Sequence, residues 1–182
     1  MLRIRQLALA ARTLEPVRTA LEAALAVRTA YRDPGVAVFG LENAVLPVGE
    51  DFLEVVAPTR ADTAAGRWLD RHGGDGGYMV ILQTDDLAPL RRRLEAHRVR
   101  VVWEIDRPEA EAVHLHPRDV GGAILSFDRM ADPDGWAWAG PDWRDAVHRE
   151  RVSGIAGARL ESPEPPALAA RCGRALTVDG GR

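Results

Sequence analysis

The chain has no lysine: all 24 of its basic side chains are arginine. We read this mainly as coding bias, since arginine at an exposed position needs no functional reason, although it suits carboxylate and phosphate recognition better than lysine does. A single cysteine, Cys172, excludes an intramolecular disulfide and any cysteine-rich metal centre, and it fits a reducing compartment. It lies in an Ala-rich helical pattern with no His or Asp close in sequence, so a buried, inert thiol is expected rather than a nucleophile. No stretch approaches the roughly 20 apolar residues of a membrane span, and the N-terminal apolar run is too short for a secretory signal. A formal charge of −3 gives no broad attraction to nucleic acid or anionic lipid. Neither is expected as a partner, and a cytoplasmic location is expected. Phosphate-loop spacing is also missing: Gly73, Gly74, Gly76 and Gly77 do not form G-x-G-x-x-G and read as a flexible joint. Ser126 lacks a G-x-S-x-G elbow, which removes support for an esterase.

What is present is a repeat. Gln6 to Ala23, QLALAARTLEPVRTALEA, returns about 73 residues later as Met79 to Ala96, MVILQTDDLAPLRRRLEA. Leu14, Pro16, Leu21, Glu22 and Ala23 fall on Leu87, Pro89, Leu94, Glu95 and Ala96. Each copy opens with an alternating apolar run, places a proline in the first helical turn and continues with helix-spaced leucines, which predicts a strand followed by a helix.

In chain order, a strand is expected over Leu2 to Ala11 and a helix over Glu15 to Val27. Three short strands follow, Val36 to Gly40, Asn43 to Val48 and Phe52 to Ala57, punctuated by Asp33-Pro34-Gly35 and Gly49-Glu50-Asp51. Residues 58–76 form a connector with a helix from Ala61 to His72. The second copy repeats the order: strand Tyr78 to Thr84, helix Leu87 to His97, and strands Val99 to Ile105, Glu111 to His116 and Ala123 to Asp128. The class is α+β, with tandem βαβββ modules at 3–57 and 77–128 inside a domain of residues 1–128. A Trp-rich linker covers 129–149. Residues 150–182 read as a partial third βα module, a strand at Arg151 to Glu161 and a helix at Pro165 to Leu176. It must pack on the existing sheets or on another chain, which makes a homodimer one expectation.

The tandem order, together with LALAARTLEP, DFLEVVAPT and above all LHPRDVGGAILSFD, resembles the vicinal oxygen chelate superfamily, the glyoxalase, bleomycin-resistance and extradiol-dioxygenase group. The segment around His116-Pro117-Arg118-Asp119 and Gly121-Gly122 is most similar to its methylmalonyl-CoA epimerase and glyoxalase-like branches. The resemblance implies that each module curls into a half-open barrel and that the pair encloses one ligand cavity. It also implies a divalent metal held by one residue on the first strand and one on the last strand of each module. Here those positions read Gln6, Glu54, Met79 and Ser126, with Phe127 replacing Ser126 if the shift of 73 is kept. Thioether and serine hydroxyl are poor ligands for such a metal, so a degraded site with no bound metal is expected. His114 and His116, at i and i+2 on a predicted strand, are the alternative: with Gln6 and Glu54 they leave a divalent metal open.

Glu54 sits among Phe52, Leu53, Val55 and Val56, so its carboxylate should be buried, either as a general base or held by Gln6 or an arginine. Asn43, the only asparagine, lies beside Glu42 and could orient a polar group of a ligand. Gln83 shares a strand face with Met79. Trp136, Trp138 and Trp143 either anchor a long loop or wall a planar ligand. Two functions follow. One is a non-catalytic small-molecule binder whose cavity includes Gln6, Asn43, Met79, Gln83, His114, Ser126 and Trp136. The other is a glyoxalase- or epimerase-type lyase or isomerase acting through an enolate, with Glu54 as base and His116 or a residual metal on the oxyanion.

Overall fold

Strand alternation in the first ten residues and helix periodicity in the next dozen produce the expected pair in the computed structural model, which describes residues 1–176. Strand β1 is Leu2–Ala10 and helix α1 is Leu14–Leu25. They are followed by β2 (Leu41–Val48), β3 (Asp51–Pro58) and α2 (Ala64–His72). The second copy contributes β4 (Gly76–Thr84), α3 (Ala88–Ala96), β5 (Val101–Asp106), β6 (Ala110–Leu115), the single turn α4 (Pro117–Val120) and β7 (Ile124–Met130). Helix α5, Pro165–Leu176, forms where the third copy's helix was expected.

The chain divides into two compact units, one around each copy. The first contains Arg5–Tyr78 and Trp136–Ala156. In it β3 lies between β2, its antiparallel partner, and β1, its parallel partner. The second contains Met1–Ile4, Met79–Gly135 and residues 157–176, with strand order β4-β7-β6-β5 and a parallel β4·β7 pair. This is the α+β architecture expected, with seven strands among the described residues.

Register decides what each face carries. On one side of the first unit's sheet, Ala44, Leu46, Val48, Val55 and Ala57 pack with Leu14 and with Val17, Leu21 and Leu25 of α1. That face supplies the unit's main apolar core. The partners Gln6↔Phe52, Ala8↔Glu54, Val45↔Glu54 and Asn43↔Val56 place Gln6, Asn43, Phe52 and Glu54 together on the other side.

Two expected strands do not form. Over Val36 to Gly40 the chain makes a 3-10 turn, Pro34–Phe39. The Asp33 carboxylate accepts the Gly35 N–H at 2.8 Å, Pro34 presets the first turn, and Gly40 closes it at φ +70° with its N–H on the Ala37 carbonyl. Turn chemistry therefore overrides the β-branched pattern. Pairing to β2 survives as one antiparallel bridge, Tyr31↔Val45.

The second is Arg151 to Glu161, which joins no ladder. Gly154 and Gly157 weaken it as a strand, and its first half instead straps the first unit. Arg151 donates to the carbonyls of Ala23 and Ala24 at the end of α1, at 2.9 and 3.1 Å, satisfying acceptors a helix terminus leaves open. Val152 and Ile155 add to the α1-side core, and the Ile155 N–H bonds Asp51 at 2.8 Å.

Candidate functional site

The first unit gathers its polar residues on the face away from α1. Gln6 on β1, Asn43 on β2 and Glu54 on β3 are all buried. Gln6 donates Nε2–H to Glu54 Oε2 at 2.8 Å, and Asn43 donates Nδ2–H to Glu54 Oε1 at 2.6 Å. Asn43 in turn accepts the Asp33 N–H on Oδ1 at 2.8 Å. The remaining amide oxygen, Gln6 Oε1, accepts the indole N–H of Trp136 at 2.6 Å. Each carboxylate oxygen of Glu54 thus has an amide donor. Burial pushes the Glu54 carboxyl above its ordinary 4.5, the Asn43 and Gln6 N–H donors oppose the shift, and the charge of Asp33 adds to it.

Trp136 is only 2% exposed and lies nearly parallel to Phe52, at 6.0 Å and 14°. Trp143 meets Phe52 edge-on at 4.9 Å. Both tryptophan rings thus pack on Phe52 within the first unit. The Arg5 guanidinium lies 5.3, 5.7 and 5.8 Å from the ring centroids of Phe52, Trp136 and Trp143, within cation–π range of all three. Sequence reasoning missed Arg5. The signal was its place inside an apolar strand, where an arginine needs partners to be buried.

In the second unit the register is equivalent. Met79 faces Ile124 as Gln6 faces Phe52, and Ser126 follows two residues later as Glu54 does. The position corresponding to Glu54 is therefore Ser126 rather than Phe127. A row runs across the sheet through Ile81, Ser126, His114 and Trp103. The His114 ring lies against Trp103 at 4.4 Å, and burial holds its pKa down to about 4, so it is neutral at pH 7.

The Ser126 hydroxyl donates to the buried carboxylate of Asp128. Asp128 was not foreseen, although alternation along β7 places it on the face of Ser126. Gln83 is occupied: Oε1 accepts from Arg3 at 2.9 and 3.2 Å, and Nε2 donates to the Pro133 carbonyl at 2.8 Å.

His116 lies beyond the end of β6, so it does not share a strand face with His114. It caps α4, with Nδ1 accepting the Arg118 N–H at 3.1 Å. Among the described residues no group of three or more His, Cys, Asp or Glu side chains is placed to hold a metal ion. In the Gln6–Glu54 pair, Gln6 Oε1 and both Glu54 oxygens each accept one hydrogen bond. Among the described residues no helix is long and apolar enough to cross a membrane.

A family model described as a glyoxalase-like domain matches residues 7–176. No curated protein sequence matches the chain. Among solved structures, a methylmalonyl-CoA epimerase variant from Streptomyces coelicolor, in complex with 2-nitronate-propionyl-CoA, is 23% identical with a TM-score of 0.62, covering 71% of this chain and 97% of that one. The epimerase from Mycobacterium tuberculosis is 20% identical with a TM-score of 0.61, over 70% and 87% of the two chains. A hypothetical protein from Bacillus halodurans is 16% identical with a TM-score of 0.60, over 72% and 96%. At these identities the likeness is one of fold.

Proposed function

Because the chain belongs to the glyoxalase-like family of the vicinal oxygen chelate superfamily, we propose that it is a metal-independent, small-molecule-binding member of that family in which catalysis has been lost. The observation that carries this reading is the closed hydrogen-bond set at Gln6, Asn43, Glu54 and Trp136. Residues that would face a cation or a reacting carbon are spent on one another. In the second unit, the half-buried Met79 and Ile124 share a sheet face with Ile81, Ser126 and a neutral His114. A largely apolar organic molecule suits such a surface better than a charged one.

The test is metal analysis of the purified full chain after dialysis against Zn, Ni, Mn and Co salts, followed by thermal unfolding with a panel of small organic ligands, acyl-CoA esters included. Far less than one equivalent of metal is expected, together with ligand stabilisation that needs no added metal. One tightly held equivalent overturns the reading.

The second reading, an isomerase or lyase acting through an enolate with Glu54 as base, draws on the raised pKa of Glu54 and on the fold shared with epimerases. For that role the lone pair that each carboxylate oxygen keeps beside its amide donor would have to face the substrate's proton. Exchange of the α-proton of methylmalonyl-CoA into D2O, followed by NMR, separates the readings: exchange abolished by Glu54→Gln supports the enzyme, and none with the native chain favours the binder.

A further inference from the structure

The first unit also carries a cleft whose lining includes none of Gln6, Asn43, Glu54 and Trp136. The cleft, of about 370 Å³, opens between the segment after β1, the segment after β3 and helix α2. Its lining holds Pro58, Ala61 and the buried Leu69, three arginines, Arg12, Arg60 and Arg67, and two aspartates, Asp62 and Asp70. The three arginines are not equivalent. Arg12 is paired with Asp70 at 3.0 Å, and Arg67 gives one guanidinium nitrogen to the Asp62 carbonyl. Arg60 has no hydrogen bond or ion pair among the described residues.

The exposed Arg60 side chain runs close along Gly40. A Cβ added to Gly40 would lie 2.5 Å from Arg60 Nε and 3.0 Å from its Cγ, so the arginine stem crosses the bare Cα of that glycine. Such a contact removes part of the rotamer freedom an exposed arginine otherwise loses on binding. An uncommitted guanidinium fork beside two others, in a lining where three arginines outnumber Asp62 and Asp70 and where Pro58, Ala61 and Leu69 add apolar atoms, matches a planar or tetrahedral oxyanion attached to an organic group.

We propose that this cleft binds a small organic oxyanion, a phosphate monoester or a carboxylate, with Arg60 as the principal contact and Arg67 and Arg12 beside it. The site is independent of the ligand reading at the Glu54 face.

The test is NMR of the full chain, following the arginine Nε–H resonances while phenyl phosphate or benzoate is added at constant ionic strength against a chloride control. Saturable shifts of the Arg60 and Arg67 signals are expected, and Arg60→Ala should weaken binding at least about tenfold, the loss of a charge-assisted fork. Saturation by phenyl phosphate alone names a phosphate site, and saturation by benzoate alone a carboxylate site. Shifts no larger than those with chloride, or equal affinity in native and Arg60→Ala chains, overturn the proposal. Gly40→Ala is the second variant: its Cβ meets the Arg60 stem and Thr63 Cγ2 at a residue with φ +70°, so it is compared with Thr63→Ala, which disturbs the α2 cap without touching the Arg60 stem; weaker binding by Gly40→Ala alone supports pre-positioning, and unchanged binding, or equal weakening by both, removes it.

Discussion

The indole N–H of Trp136 closes on the side-chain oxygen of Gln6 across 130 residues of sequence. The contact joins a segment that follows the second copy to the first strand of the first copy, and it satisfies the last acceptor of a buried polar set. Remove the donor, and a buried amide oxygen loses its partner without gaining water. Such orphaned groups cost more than the bond itself contributes.

Trp136→Phe separates the two roles of the side chain, since phenylalanine keeps a ring against Phe52 and loses the N–H. A loss of about 1–3 kcal/mol is expected from urea unfolding, the penalty for an unsatisfied buried acceptor. Trp136→Ala, which also leaves a void, should cost about 3–5 kcal/mol. Equal stability of Trp136→Phe and the native chain would show that the Gln6 bond contributes nothing.

Glu54 sets part of the pH dependence of folding. Its folded pKa is raised above the ordinary 4.5, so the native state holds the proton more tightly than the unfolded chain. Stability therefore falls as pH rises from about the unfolded value through the folded one, and levels off above it. Glu54→Gln, which cannot ionise, should lack this slope. The stability difference between native chain and variant, measured by denaturant unfolding from pH 4 upward, should shift against the native chain as pH increases. A difference independent of pH would mean that the carboxyl titrates alike in both states.

Much of this site could be read before the fold was known, and the reason is periodicity. A strand face repeats every second residue, so Gln6 and Glu54 fall on one face once the tandem copies are aligned, and Ser126 takes the place of a second carboxylate. Asn43 needed one more strand of register to reach Glu54. What stayed hidden depended on contacts that local pattern does not encode. Trp136 pairs with Gln6 through tertiary packing alone. Val36 to Gly40 had strand-like residues, but Asp33, Pro34 and Gly40 imposed a capped turn. His116 looked like a strand partner of His114 until Pro117 ended the strand and turned its ring into a helix cap.

His114 carries the opposite pH signature. Its pKa is lowered from 6.5 to about 4 by burial, so the unfolded chain binds the proton first as pH falls. Stability contributed at neutral pH is lost progressively between about 6.5 and 4. In a proton NMR titration the His114 ring signals should stay constant from pH 8 down to pH 5, whereas a free imidazole midpoint near 6.5 would show that the ring is solvated. His114→Gln should flatten the acid limb of the stability curve over the same interval.

The strap over the first unit offers the last prediction. Gly49 has φ +66°, and a Cβ there would stand 2.0 Å from the Ser153 carbonyl oxygen. Gly49→Ala therefore meets two penalties, a left-handed backbone with a side chain and a clash with main chain that no rotamer relieves. The strap must lift, and lifting it frees Arg151 from the carbonyls of Ala23 and Ala24 and uncovers the apolar surface under Val152 and Ile155. We expect a loss of about 1–3 kcal/mol in urea unfolding and faster tryptic cleavage after Arg151. Ile155→Ala, which shortens the strap's apolar contact without touching Gly49, should speed the same cleavage to a smaller degree. If Gly49→Ala left both stability and the cleavage rate unchanged, the strap would be a passive tail. If it lowered stability alone, the cost would belong to the turn between β2 and β3 and not to the segment laid across it.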